Sequence, residues 1–234
     1  MYLRNQTLSA LAAAGLSLLI TAPAQADQQL TEQKIQFIQQ QFDQSSQHSR
    51  YWQNGWLGFL WGSAVLQALG ASSAEKDEKD DEYDQTVGAI TSLLGAGDML
   101  LNPIQTHKYS HQLSAMPQQT SQQLDAKLAQ AENWFALAAE REIHEKSWSN
   151  HLVSVAVNAL AGAAIALDDN RESDGWITFA TGTLVSEIKI WSAPDDLFSA
   201  QLRYQSGNYQ VKNVSVQNWT LASNGPSIDF SWRF

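Results

Sequence analysis

The chain has 234 residues, 24 acidic against 14 basic side chains, and a formal net charge of −10 with a pI near 4.8. That length suits one domain with a real core. The acidity argues against nucleic acid, which needs clustered Lys and Arg, and against electrostatic docking on anionic lipid. With no cysteine there is no disulfide staple, thiol nucleophile or cysteine zinc site, while nine tryptophans ask for an explanation.

Residues 1–26 read as an export signal. Arg4 precedes an apolar stretch over 8–20, and Ala24 and Ala26 fit a cleavage site with Asp27 as the first mature residue. The apolar core of roughly 13 residues is short of the ~20 that span a bilayer. The expected address is therefore the periplasm, as a protein associated with the cell envelope.

An internal repeat organises the mature chain. His48, Arg50, Trp52 and Asn54 recur at constant offset as His144, Lys146, Trp148 and Asn150. Each motif follows a polar stretch and precedes a small-residue apolar run, 55–71 or 151–167. An acidic segment comes next, 75–84 or 168–175, and then a second apolar run ending at Pro103 or Pro194. The pattern predicts two tandem helix hairpins, over 27–103 and 119–194, joined by a connector at 104–118.

In the first long helix Ile35, Ile38, Phe42, Trp52, Trp56 and Phe59 share one stripe. In the second, Leu124, Leu128, Trp134, Ala138, Trp148, Leu152 and Val155 do. Gly55 and Gly58 could bend the first. Small residues at helical spacing (Gly58 and Gly62; Gly88, Ser92 and Ala96; Gly162 and Ala166; Gly182 and Ser186) suit close helix packing in water or in lipid.

Residues 195–234 change character. Alternation over 198–204, the turn at Ser206-Gly207-Asn208 and the break at Asn224-Gly225-Pro226 predict a three-stranded antiparallel meander. The last segment, with Ile228, Phe230, Trp232 and Phe234 on one face, resembles the C-terminal signal of bacterial outer-membrane barrel proteins. Three strands cannot close a barrel, however, and packing of that face on the helices is preferred.

The apolar runs are intermediate in length between core and membrane helices, with tryptophans near their ends. Asp98 and the pair Glu187 and Lys189 interrupt two of the runs, and the acidic tips resist crossing a bilayer. A soluble, mainly helical bundle is the preferred reading, with the tryptophans as anchors of helix seams.

The repeated motif is the main candidate site: His48, Trp52, Asn54, His144, Trp148 and Asn150. On a helix each His and Trp are i, i+4 neighbours, and a pseudo-two-fold packing could bring the histidines together to hold a metal or small anion. Asp98, Asn158, Glu187 and Lys189 are polar groups within apolar runs that need partners, and His48, His144 or Lys189 could supply them. His107 and His111 are an i, i+4 pair that could hold a divalent metal, but no third ligand is near in sequence. His144-Glu145 begins like a zinc-protease motif, and Trp148 stands where its second histidine would be. No motif calls for a cofactor. The expectation is a non-catalytic envelope protein acting on a protein partner through its helical surface, with self-association as an option. The alternative is a membrane-associated protein whose hairpins insert or oligomerise in the bilayer. A third reading is a metal-binding protein or enzyme centred on His48 and His144.

Overall fold

The computed structural model describes residues 6–75, 79–168, 170–211, 214–216, 219–224 and 227–232, and side chains over 26–75, 79–168 and 170–211. The molecule is mainly helical. Its helices are α1 (Gln6–Ser73), α2 (Lys79–Leu101), α3 (Thr106–Ala115), α4 (Ser121–Glu145), α5 (Trp148–Leu167), α6 (Glu172–Trp191) and α7 (Asp196–Gln205).

Two parts can be distinguished. In the body, α1 packs on α3, α4 and α7. Its core holds Phe37, Ile38 and Phe42 from α1, Leu113 from α3, Phe135 from α4 and Leu197 from α7. Phe135 meets Phe42 edge-on at 5.9 Å, and Phe37 stacks on Tyr204 at the same distance. Such geometry adds to burial because ring edges are positive and ring faces negative. The other part consists of two hairpins, the C-terminal half of α1 against α2, and α5 against α6.

Local chemistry explains the boundaries. Thr120 and Gln123 form a reciprocal capping box that starts α4. Ser147 Oγ accepts from the Asn150 backbone N–H and starts α5. The second long helix is therefore not continuous: the chain leaves α4 after Glu145 and restarts two residues later. α1, by contrast, runs unbroken through Gly55 and Gly58. At the end of α2, Gln53 Nε2 donates to the Met99 carbonyl and its Oε1 accepts from Ile104 N–H. One buried amide thus satisfies a helix end that Pro103 terminates.

The three-stranded meander is not formed. Residues 198–204 lie in α7, whose first backbone N–H groups are held by Glu142, so their alternation does not make a strand. The remaining segments pair as two separate antiparallel ladders. β1 (Tyr209–Val211) pairs with β2 (Val214–Val216), and β3 (Trp219–Asn224) with β4 (Ser227–Trp232). The side chains of Ile228, Phe230, Trp232 and Phe234 lie outside the described residues.

Among the described side chains the tryptophans divide: Trp134 stacks on Tyr109 at the edge of the body core, but four others do not anchor seams. Trp52 is buried and Trp56 half-buried, but Trp61, Trp148, Trp176 and Trp191 are exposed, Trp148 by 75%. They share the outer hairpin surface with leucines such as Leu66, Leu160 and Leu184.

Candidate functional site

Each hairpin holds one side-chain amide between its helices, among small and apolar residues such as Ala89, Ala96, Ala161 and Ile165. In the first, Gln67 Nε2 donates to Ser92 Oγ at 3.1 Å, and Gly88 makes room for the amide, since a Cβ there would lie 1.6 Å from Gln67 Oε1. In the second, Asn158 Nδ2 donates to Ser186 Oγ at 3.1 Å, and a Cβ at Gly182 would lie 2.1 Å from Asn158 Oδ1. Each hairpin therefore places one amide in a Gly-x-x-x-Ser notch on the facing helix. Gly162 and Gly175 bring the α5 and α6 backbones together: a Cβ on Gly175 would sit 2.4 Å from the Gly162 carbonyl oxygen. Gly58 and Gly62, in contrast, face open space.

A cleft of about 780 Å³ separates the two hairpins, lined among others by Gln67, Ser92, Asn158, Ser186 and Lys189. It is clipped at both ends. At the tips Arg171 makes a bidentate pair with Asp84, at 2.7 and 2.9 Å, with Asp168 at 3.2 Å. These carboxylates raise the guanidinium pKa further, so it remains charged. At the base Trp52 Nε1 donates to the Lys189 carbonyl and Ser192 Oγ, and Trp56 Nε1 donates to the same hydroxyl.

Between hairpins and body lies a collar of buried charge. Glu145, fully enclosed, pairs with Lys189 and, at 2.7 Å, with Arg141. Burial alone would raise its pKa. The two cations outweigh that and hold the carboxyl below the usual range. The Lys189 ammonium also lies 5.3 Å from the centre of the Trp52 ring. Glu142, 0% exposed, behaves oppositely. Its Oε2 accepts from the Leu197 and Phe198 backbone N–H groups at the start of α7, and its Oε1 has no partner. Burial pushes its pKa up to about 7, over the opposing pull of the two N–H donors.

The two copies of the repeat motif are not equivalent. His48 and Asn54 are exposed on α1, while His144 is exposed at the end of α4, beside the cleft. No hydrogen bond or ring contact joins the two histidines among the described residues. Trp52 is buried in the collar, whereas Trp148 stands in the open against His151, with ring centres 6.0 Å apart. Asn150 Nδ2 donates to the Glu145 carbonyl across the α4–α5 break. Glu187 finds a partner in His151, Nδ1 to Oε2 at 2.8 Å, rather than in His48 or His144. Asp98 is exposed and accepts from Asn102 Nδ2 at 2.9 Å. Asn158 is buried. His107 and His111 do share α3, but no group of three metal-ligating side chains occurs among the described residues.

Sequence reasoning missed Glu142 as a core residue and did not give Glu145 its ion-pairing role. The signal was present: Leu124, Leu128, Ala131, Phe135, Ala138, Glu142 and Glu145 follow one i, i+3/i+4 stripe. No protein-family model, curated protein or solved structure matches this chain.

Proposed function

We propose that the chain is an exported envelope protein whose two apolar hairpins insert side by side into a bilayer, with the body held at one face. The observation that carries this reading is the exposure of the apolar helix faces. In the most apolar window of α5 only 17% is buried, and for the segment Lys79–Ala115 the share is 22%. An apolar core helix of a water-soluble protein would be mostly enclosed.

Length and chemistry agree with this. Helices of 20 to 23 residues are about 30 Å long, close to the hydrocarbon thickness. Trp148 and Trp191 mark the base of the second hairpin and Trp176 its tip, where amphipathic rings favour the two interfaces. The charges that interrupted the runs in sequence lie near the base. Asp98 is in the last turn of α2, and near the end of α6 Glu187 is hydrogen-bonded to His151 and Lys189 is ion-paired with Glu145. At that level they meet headgroups and collar rather than acyl chains. The amide-in-notch contacts are the polar glue that holds helices together where the hydrophobic effect is absent. Their recurrence in both hairpins also supports a tandem duplication.

Flotation with protein-free phosphatidylcholine vesicles, followed by carbonate extraction, tests the reading. The expected result is protein that floats and resists extraction. A chain that stays in the aqueous fraction and remains monodisperse without detergent overturns it and favours docking of the same face on a protein partner.

A further inference from the structure

The C-terminal half of α1 and helices α2, α5 and α6 surround the cleft of about 780 Å³, a volume in the ordinary range of small-molecule sites. The core of a helix bundle suits such a site because side chains from facing helices converge there. Apolar groups such as Phe59, Leu60, Val157 and Val185 make up most of the walls. The ionisable groups stand at the two ends. Asp84 is paired with Arg171 at the tips. At the base Lys189 is paired with Glu145, beside His144 and with Asp98 in the last turn of α2. Between those ends the polar side chains of the cleft are amides and hydroxyls alone. Its middle therefore matches a neutral ligand and not a carboxylate or phosphate, since an unpaired ion away from water is costly.

The two walls carry the same device. Gln67 Nε2 donates to the Ser63 carbonyl on its own helix and to Ser92 Oγ on α2. Asn158 Nδ2 donates to the Ser154 carbonyl and to Ser186 Oγ on α6. The carbonyl four residues back fixes each amide, and the amide fixes the hydroxyl opposite. Both hydroxyls accept, yet neither donates its own hydrogen to another group among the described residues. A hydroxyl has one O–H to give besides its lone pairs, and in apolar surroundings an unspent donor is unfavourable. Ser92 and Ser186 belong to different hairpins and both line the cleft, so a ligand there meets one O–H from each wall.

The arrangement calls for acceptors on two opposite sides of an apolar body. A glycerophospholipid does not provide them, because its ester carbonyls lie together beside a charged head. A para-quinone does, with one carbonyl on each side of a flat apolar ring. We infer that the cleft binds a neutral lipophilic molecule with opposed carbonyl acceptors, the chemistry of a para-quinone, held between the Ser92 and Ser186 hydroxyls. The four helices form this site whether or not they insert, so the inference does not rest on the bilayer reading.

The test dialyses the full chain in nonionic detergent to equilibrium against decyl-para-benzoquinone, with decylbenzene as a similar probe that lacks the carbonyls. The expected result is saturable uptake of the quinone and about tenfold weaker uptake of decylbenzene, the difference that two hydrogen bonds make. Joint Ser92→Ala and Ser186→Ala substitution should weaken quinone binding about tenfold and leave decylbenzene unaffected. If circular dichroism shows that the joint variant loses its helices, the single variants carry the test, each with about threefold weaker quinone binding. Val157→Phe, which fills the cleft and keeps both hydroxyls, should remove uptake of the quinone. Equal affinity for the two probes, or quinone affinity unchanged by the serine variants, overturns recognition by the hydroxyls and with it the inference. Absence of saturable uptake, or uptake that survives Val157→Phe, overturns the site itself. Flotation tests insertion separately, so failure here leaves that reading standing.

Discussion

In the body, Phe42, Phe135 and Leu113 lie inside and the glutamines of α1 lie largely on the solvent side. In the hairpins Gln67 and Asn158 lie between the helices among small apolar residues, while large ones such as Leu66, Leu160 and Leu184 stand on the outer surface. Under the proposed insertion the difference has a physical reason: water drives apolar groups inward by hydration, whereas lipid leaves close contact and hydrogen bonding as the forces between helices. The collar of Glu145, Lys189 and Arg141 lies where the two regions meet. There a buried ion pair locks hairpin to body at the cost of desolvating its members.

Perturbations separate the two regions by size and by assay. Glu145→Ala strands Lys189 and Arg141 at the collar and should cost about 3–5 kcal/mol, read as a loss of melting temperature in buffer. Phe135→Ala empties the centre of the body and should cost a similar 3–5 kcal/mol in the same assay. Gly175→Leu forces apart the closest backbone approach in the hairpins and should cost about 1–3 kcal/mol. It should also expose the α5–α6 turn to limited proteolysis. A milder effect comes from Glu142. Its folded-state pKa, raised from 4.5 to about 7, means that the folded protein binds the proton more tightly than the unfolded chain does. Stability should therefore fall by on the order of 2 kcal/mol as pH rises through that window, and Glu142→Gln should flatten the decline in a pH series of melting temperatures. Glu145 works in the other direction, its contribution fading as pH falls below the carboxylate range. Smallest of all, Leu160→Ser, at a site 73% exposed, should change the melting temperature in buffer by less than about 0.5 kcal/mol equivalent. It should nonetheless reduce flotation with vesicles. An equal effect of Leu160→Ser and Phe135→Ala on stability in buffer would erase the distinction between the regions.

Much of the helical layout was legible because apolar periodicity, acidic turns and prolines all punctuate the chain. Pro103 and Pro194 follow α2 and α6 closely, and the hairpin turns lie in the acidic segments. Periodicity could not say which side of a hairpin faces inward. A helix that buries Asn158 and exposes Leu160 has nearly the same pattern as its reverse, because only the environment decides. The His and Trp repeat was real as a pattern but did not form a joint site. Ser147 caps a new helix where the corresponding part of α1 continues, and this leaves Trp148 exposed while Trp52 is buried. The alternation over 198–204 misled because a tertiary contact, the Glu142 carboxylate at the start of α7, supports a helix that local pattern did not reveal.

The interruption at Lys146 and Ser147 makes the two hairpins mechanically unequal. The first is the far end of one uninterrupted shaft, so any tilt of the body is passed to it undiminished. The second hangs from a two-residue joint, held by the Asn150 side chain, the Lys146–Asp195 pair at 2.7 Å and the collar. The Arg171–Asp84 pair at the tips and the Trp52 and Trp56 contacts at the base supply the stiffness that the joint lacks, so the second hairpin takes its position from the first as much as from the body.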